Sequence, residues 1–227
     1  MEKIVCALWG VENERLLRGL PGALSAAGAT QIRLNLQDDK VEPGAALLQV
    51  NTRPQMEAVV QFWVPTTYAP SLETVHAALE KFSTRYAAWL VVESTVIANT
   101  NDTSNFGERR AGFSQLAFLG LPPRLTHDEW RTIWQGYHTR VAIETQSNIE
   151  YIQNLVVRAL TKNAPPFAGI VEECFPIEAL TDPFVFFDAV GDQAKFDANL
   201  TTMMDSCGRF IDFDRIDVLI TSQFNFA

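Results

Sequence analysis

Thr126–Arg158, THDEWRTIWQGYHTRVAIETQSNIEYIQNLVVR, holds the change of hydrophobic period from which the fold is read. It opens as a helix start. Thr126 followed three residues later by Glu129 is a capping box, whose hydroxyl and carboxylate satisfy N–H groups that a first turn leaves free. Trp130, Trp134, His138 and Val141 then recur at spacings of four, four and three, and Ile133, Tyr137 and Ala142 widen the stripe. That periodicity predicts a helix over 126–146 with one side against other structure. From Ile149 to Leu160 the pattern turns extended and β-prone.

Working outward, the same alternation of elements runs along the whole chain. Lys3–Trp9 reads as a strand, Glu14–Ala27 as a helix, Gln31–Gln37 as a half-buried strand and Asp38–Gly44 as a polar turn. Pro21 is expected to break the first helix or begin a second segment, because a helix interior accepts proline at a cost. Glu57–Val64 is a strand, Leu72–Phe82 a helix and Trp89–Ile97 a strand, which gives β-α-β-β-α-β. The stretch 99–111, rich in Asn, Asp, Ser and Thr, has no apolar period and reads as a linker. Beyond it the order returns: strand Gly112–Leu119, the long helix, strands Ile149–Leu160 and Phe167–Phe175, one or two helices within 178–207, and a closing strand Ile216–Phe224.

Sparse identities support a duplicated unit: Ala7 and Gly10 fall on Ala117 and Gly120, Pro65 on Pro176, and Leu72, Thr74, Phe82 and Ser94 on Leu200, Thr202, Phe210 and Ser222. The expected organisation is therefore a ferredoxin-like domain over 1–98, a linker over 99–111 and a second ferredoxin-like domain over 112–227. The class is α+β. A β-α-β-β-α-β unit leaves one sheet face bare, and two such faces bury each other by curling into an eight-stranded barrel within the chain. A ligand site is expected inside that barrel.

Composition narrows the function. With 227 residues, 47% hydrophobic and 20% charged, the chain can bury a sizeable core. A net charge of −9 and a single adjacent basic pair, Arg109–Arg110, argue against nucleic acid or an anionic membrane as partner. No apolar run approaches a membrane span, and MEKIVCALWG turns polar too early for a signal peptide. Cys6, Cys174 and Cys207 are odd in number and widely spaced, so a reducing cytoplasm and buried structural thiols are expected. Nucleotide loops, nucleophile elbows and zinc signatures are absent, and His76, His127 and His138 have no metal-ligand spacing. Neither cofactor nor metal is expected.

The acidic opening before Trp130, Trp134 with His138 in WQGYH, Tyr151, Gln153 and Asn154 in YIQN, and Phe210–Ile211–Asp212 before the last strand together resemble the EthD-like branch of the dimeric α/β-barrel superfamily. The resemblance spans Gly112–Phe224. The first half fits only in element order and lacks the Trp-x-x-x-His, so it reads as a degenerate copy that completes the barrel. Members of the superfamily include cofactor-independent oxygenases of aromatic polyketides, cyclases, decarboxylases, lactone isomerases and haem-binding enzymes. Fold analogy is an associational warrant.

His138 is the candidate catalytic residue, since imidazole takes and returns a proton near neutral pH. The alternative is a packing histidine. Trp130, Trp134 and Tyr137 are candidate substrate walls, against the alternative of plain core. On the next strand Tyr151 and Gln153 point to one face, Asn154 and Arg158 to the other. Tyr151, Asn154 and Arg158 enter as candidate contacts, Arg158 for an anion. Glu172 and Glu173 place one carboxylate on each face, and Glu172 is the candidate for the site; an inward one needs a partner or a raised pKa.

The expected function is a small cofactor-independent enzyme acting on an apolar aromatic or polyketide-like carbonyl compound by oxygenation, cyclisation or decarboxylation, with a homodimer through outer strands or helices. A non-catalytic binding protein for a hydrophobic small molecule is the second reading. Haem binding through His138 is the third.

Overall fold

The computed structural model describes residues 1–227. The first half contributes strands β1 (Glu2–Trp9), β2 (Thr30–Leu36), β3 (Ala58–Val64) and β4 (Arg85–Ile97), with helices α1 (Asn13–Ala26) and α2 (Glu73–Phe82). The second contributes β5 (Phe113–Gly120), β6 (Glu150–Ala159), β7 (Phe167–Phe175) and β8 (Ile216–Asn225). Its helices are α3 (His127–Arg131), a π-helical segment Thr132–His138, α4 (Thr139–Thr145), α5 (Pro183–Phe186) and α6 (Gln193–Phe210). Both halves thread as β-α-β-β-α-β, and the strands close in the order β1-β3-β2-β8-β5-β7-β6-β4. Every neighbouring pair is antiparallel. The two seams between the halves are β2 with β8 and β4 with β6. Closure leaves no edge of this sheet free.

Side-chain alternation gives every strand one face toward the lumen and one toward the helices. In the first half the helix-facing layer packs Ile4, Cys6, Leu8 and Phe62 against Leu16, Leu20 and Leu24 of α1 and Val75, Leu79 and Phe82 of α2. Its counterpart in the second half includes Phe113, Trp130, Trp134, Tyr151, Phe175 and Phe210. The lumen is also filled. One end carries Trp89, Phe118, Phe167 and Ile170. The other carries a polar network around Glu172.

Arg33 Nη1 donates to Glu172 Oε2 at 2.7 Å and lies 3.0 Å from Glu150 Oε2. Asn35, Ser114 and Gln223 donate to Glu172 Oε1, and Gln61 to Oε2. Burial alone would raise the Glu172 pKa, but Arg33 and these donors outweigh it and hold the carboxyl well below the usual range. Aromatics and this ion network fill much of the lumen, and a cavity of about 380 Å³ remains at its polar end beside Lys3, Arg33, Gln61, Glu93 and Glu150.

The chain departs from its sequence reading at two places. Helix α1 runs through Pro21 without a break. Proline deletes one backbone hydrogen bond, and the buried stripe Leu16–Leu20–Leu24 holds the helix on the sheet regardless. The turn after β2 is longer than the Asp38–Gly44 expected: it contains a 3₁₀ helix, Glu42–Leu47, and crosses to the other half. No helix is long and apolar enough to cross a membrane.

Candidate functional site

The cavity with the most chemistry lies outside the barrel, between the second-half sheet and its helices. It measures about 680 Å³, within the range of small-molecule sites. Gln115, Ala117 and Leu119 of β5, Tyr151 of β6, Val171 and Glu173 of β7, and Ile216 and Val218 of β8 form its floor. Trp134 and His138 close one side, and α6 another with Met203, Met204, Cys207 and Phe210.

The helix over the sheet begins as the sequence requires: Thr126 accepts from the Glu129 N–H and Glu129 reaches back to Thr126. It then loosens into the π-helical segment Thr132–His138, with the Thr139 N–H bonding the Trp134 carbonyl five residues back. π-turns occur as short insertions in α-helices, frequently at functional sites. The wider turn keeps Trp134 and His138 toward the sheet and carries Tyr137 outward, where it is 45% exposed with the Arg209 guanidinium over its ring. Tyr137 is thus no wall of the cavity. Trp130 is fully buried beside Trp134, ring centroids 4.8 Å apart, and belongs to the core behind the wall.

His138 Nδ1 pairs with Ser206 Oγ at 2.9 Å, and its ring lies 4.6 Å from that of Phe210. Nε2 remains the nitrogen available to a molecule in the cavity. Burial pushes the imidazole pKa down to about 4, so the ring is neutral at physiological pH. Glu173, its companion in the lining, is buried and makes no ion pair. Its cross-strand neighbours are Gln115 and Tyr151. Burial pushes its carboxyl up to about 7, against a smaller opposite pull from Gln115. Cys207 on α6 is held up at about 12 by burial and by Glu173. Tyr151 Oη accepts from Gln153 Nε2 at 2.9 Å, and burial raises its pKa.

Of the residues singled out in the sequence, the cavity gathers His138, Trp134 and Tyr151. Asn154 points into the lumen and donates to the Ile170 carbonyl. Arg158 lies beyond a register shift between β4 and β6 and binds Thr67, far from the cavity lining. Glu172 is the lumen anion. Its chain neighbour Glu173 occupies the place expected of it, because one step along a strand reverses the side chain. The adjacent pair signalled one inward and one outward carboxylate, but not which.

A closed eight-stranded barrel of two ferredoxin-like units, with a helix-covered pocket on one of them, is the dimeric α/β-barrel architecture within one chain. Residues 122–214, within the second half, match the model of the EthD domain, so that stretch is similar to an EthD domain. Among solved structures, an anthrone oxidase-like protein aligns with a TM-score of 0.53 at 8% identity, covering 100% of this chain and 92% of its own. A candidate monooxygenase from Lactobacillus acidophilus NCFM aligns at 0.48 and 8% identity, covering 99% and 93%. A candidate chlorite dismutase aligns at 0.46 and 10% identity, covering 100% and 96%. At these identities the first likeness concerns the fold alone, and the other two are too distant to argue from. No curated protein matches the chain in sequence.

Proposed function

We propose that this protein is a small enzyme that removes a proton from an apolar, oxygen-bearing aromatic ketone in the second-half cavity, with Glu173 as base and neutral His138 as hydrogen-bond partner. The observation that carries this reading is a buried carboxylate without an ion pair, titrating at about 7, in an apolar cavity. A base poised near the working pH transfers protons most effectively. His138, at about 4, is too weak a base to lead. Its Nε2 is suited instead to bonding the substrate oxygen that gains charge.

For a tricyclic ketone of the anthrone type, the C–H bond of the ring methylene breaks, its proton passes to Glu173 and the electron pair delocalises toward the carbonyl oxygen. The electron-rich enolate is then oxidised by dioxygen. The methylene becomes a second carbonyl, and one dioxygen yields that oxygen plus one water. Aromatic walls and the neighbouring fold's anthrone oxidase-like description favour this class over other acidic ketones. Cyclisation or decarboxylation would use the same proton step.

The test follows anthrone conversion to anthraquinone in air-saturated buffer by chromatography. Wild type should exceed the spontaneous rate, with activity rising through about pH 7 as Glu173 loses its proton. Glu173→Gln should abolish that limb and reduce turnover by about 100-fold or more. His138→Ala should slow turnover while leaving the limb in place. Tight anthrone binding with no turnover by any variant would favour the carrier reading. A Soret band on haemin titration, lost in His138→Ala, would favour haem.

A further inference from the structure

We propose that the arm joining β2 to β3, residues 37–57 of the first half, is the specificity wall of the second-half cavity and sets the length of ligand admitted. The inference rests on the aromatic-ketone reading of that cavity. It concerns a part of the chain that the sequence assigned only to completing the barrel.

The arm crosses the seam and is fastened on the far side. Gln49 exchanges two backbone hydrogen bonds with Val218, at 3.2 and 2.9 Å. Beyond it, the buried Asp217 carboxylate accepts from the Asn51 and Thr52 N–H groups at 2.7 and 2.8 Å and from the Thr52 hydroxyl at 2.5 Å. Asn51 Nδ2 donates to the carbonyls of Phe213 and Ile216. Gly44 seats the 3₁₀ turn so closely that a Cβ there would lie 2.5 Å from Leu180 Cδ2 and 3.2 Å from Ile220 Cγ2. The arm is held at both ends of its contact.

Between these anchors Pro43, Ala46, Leu47 and Gln49 line the cavity. Ala46 and Gln49 are exposed and Leu47 half-buried, which places them at the mouth rather than on the floor. Met204 and Phe213 of the second half line the same cavity at 52% and 46% exposure. Exposed apolar side chains from both halves make an apolar mouth, suited to a hydrophobic molecule. None of the arm's lining residues titrates, so the arm selects ligands without taking part in proton transfer.

The test narrows the mouth without touching the floor. Ala46→Trp and Leu47→Arg are made in the full chain, and affinities for anthrone (three rings) and phenol (one ring) are measured by calorimetry beside melting temperature. Ala46→Trp should weaken anthrone binding by about tenfold or more, the scale on which apolar pockets discriminate size. Phenol binding and melting temperature should stay as in wild type. Where turnover is measurable, KM should rise and kcat hold. Unchanged anthrone affinity in both variants would overturn the inference while leaving the cavity reading intact. So would equal weakening of both ligands. A wild-type protein that binds neither compound would overturn the cavity reading, and the inference with it.

Discussion

Glu172 and Glu173 are covalent neighbours with opposite fates, and the physics that separates them is measurable. Glu172 faces the lumen, where Arg33 keeps it ionised; Glu173 faces an apolar cavity, where burial holds a proton on it up to about 7. The unfolded chain releases that proton at an ordinary carboxyl pKa near 4.5. Folded protein therefore binds more protons than unfolded between these values, and this group's contribution to stability falls as pH rises from 4.5 to about 7. His138 acts in the other direction. Its pKa drops on folding from 6.5 to about 4, so its contribution is lost as pH falls through that window. The two nearly cancel in the wild type. Glu173→Gln removes one side of the balance, and its stability relative to wild type should improve toward high pH by at most roughly 3 kcal/mol. Urea midpoints at about pH 5 and about pH 8 check the sign. An equal change at both values would mean that Glu173 does not titrate between them.

At the scale of elements, the long helix shows what was legible and what was not. Its start, its length and its Trp-x-x-x-Trp-x-x-x-His stripe follow from the sequence, because capping and apolar spacing are local properties. Its π segment does not, since residues four apart suit either winding, and Tyr137 consequently turned outward from the stripe. The strands show the complementary limit. A solvated face would reveal itself by polar alternation, but β7 is buried at all nine positions, between lumen and helices. With both faces covered, alternation identifies the strand and not the side on which Glu172, Asn154 or Tyr151 lies. Packing across these two elements yields the next prediction. Gly169 of β7 faces the two tryptophans: a Cβ there would lie 2.8 Å from Trp130 Cη2 and from Trp134 Cη2 and Cζ3. Both indoles are fully buried, and of the two Trp134 borders the cavity. Gly169→Ala should cost about 1–3 kcal/mol by overpacking and push Trp134 toward the cavity, with weaker anthrone binding. Chemical denaturation and calorimetry test it; a variant as stable as wild type would show that the sheet yields there.

At the scale of the molecule, closure of the barrel depends on charge as well as on hydrogen-bonded seams. Arg33 and Asn35 come from β2 and Gln61 from β3, whereas Glu150, Glu172, Ser114 and Gln223 belong to the second half. The first half thus supplies the cation and several donors that permit two carboxylates of the second half to be buried. Sequence reading anticipated two units closing on each other but treated Arg33 as an ordinary strand residue, since its partners are 117 and 139 positions away. Arg33→Met keeps most of the side-chain volume and removes the charge. It should destabilise the protein by roughly 3–5 kcal/mol at neutral pH, because breaking a buried pair leaves its anion uncompensated. Acid should reduce that deficit. In the wild type the lowered Glu172 pKa contributes stability above the unfolded value of 4.5, and that contribution is lost as pH falls below it. In the variant Glu172 lacks this contribution and takes up a proton readily, so the wild-type and variant midpoints should draw together as pH falls from 4.5 toward about 2. A pH-independent deficit would assign the loss to packing of the guanidinium, and an undiminished midpoint at neutral pH would remove Arg33 from the closure of the barrel.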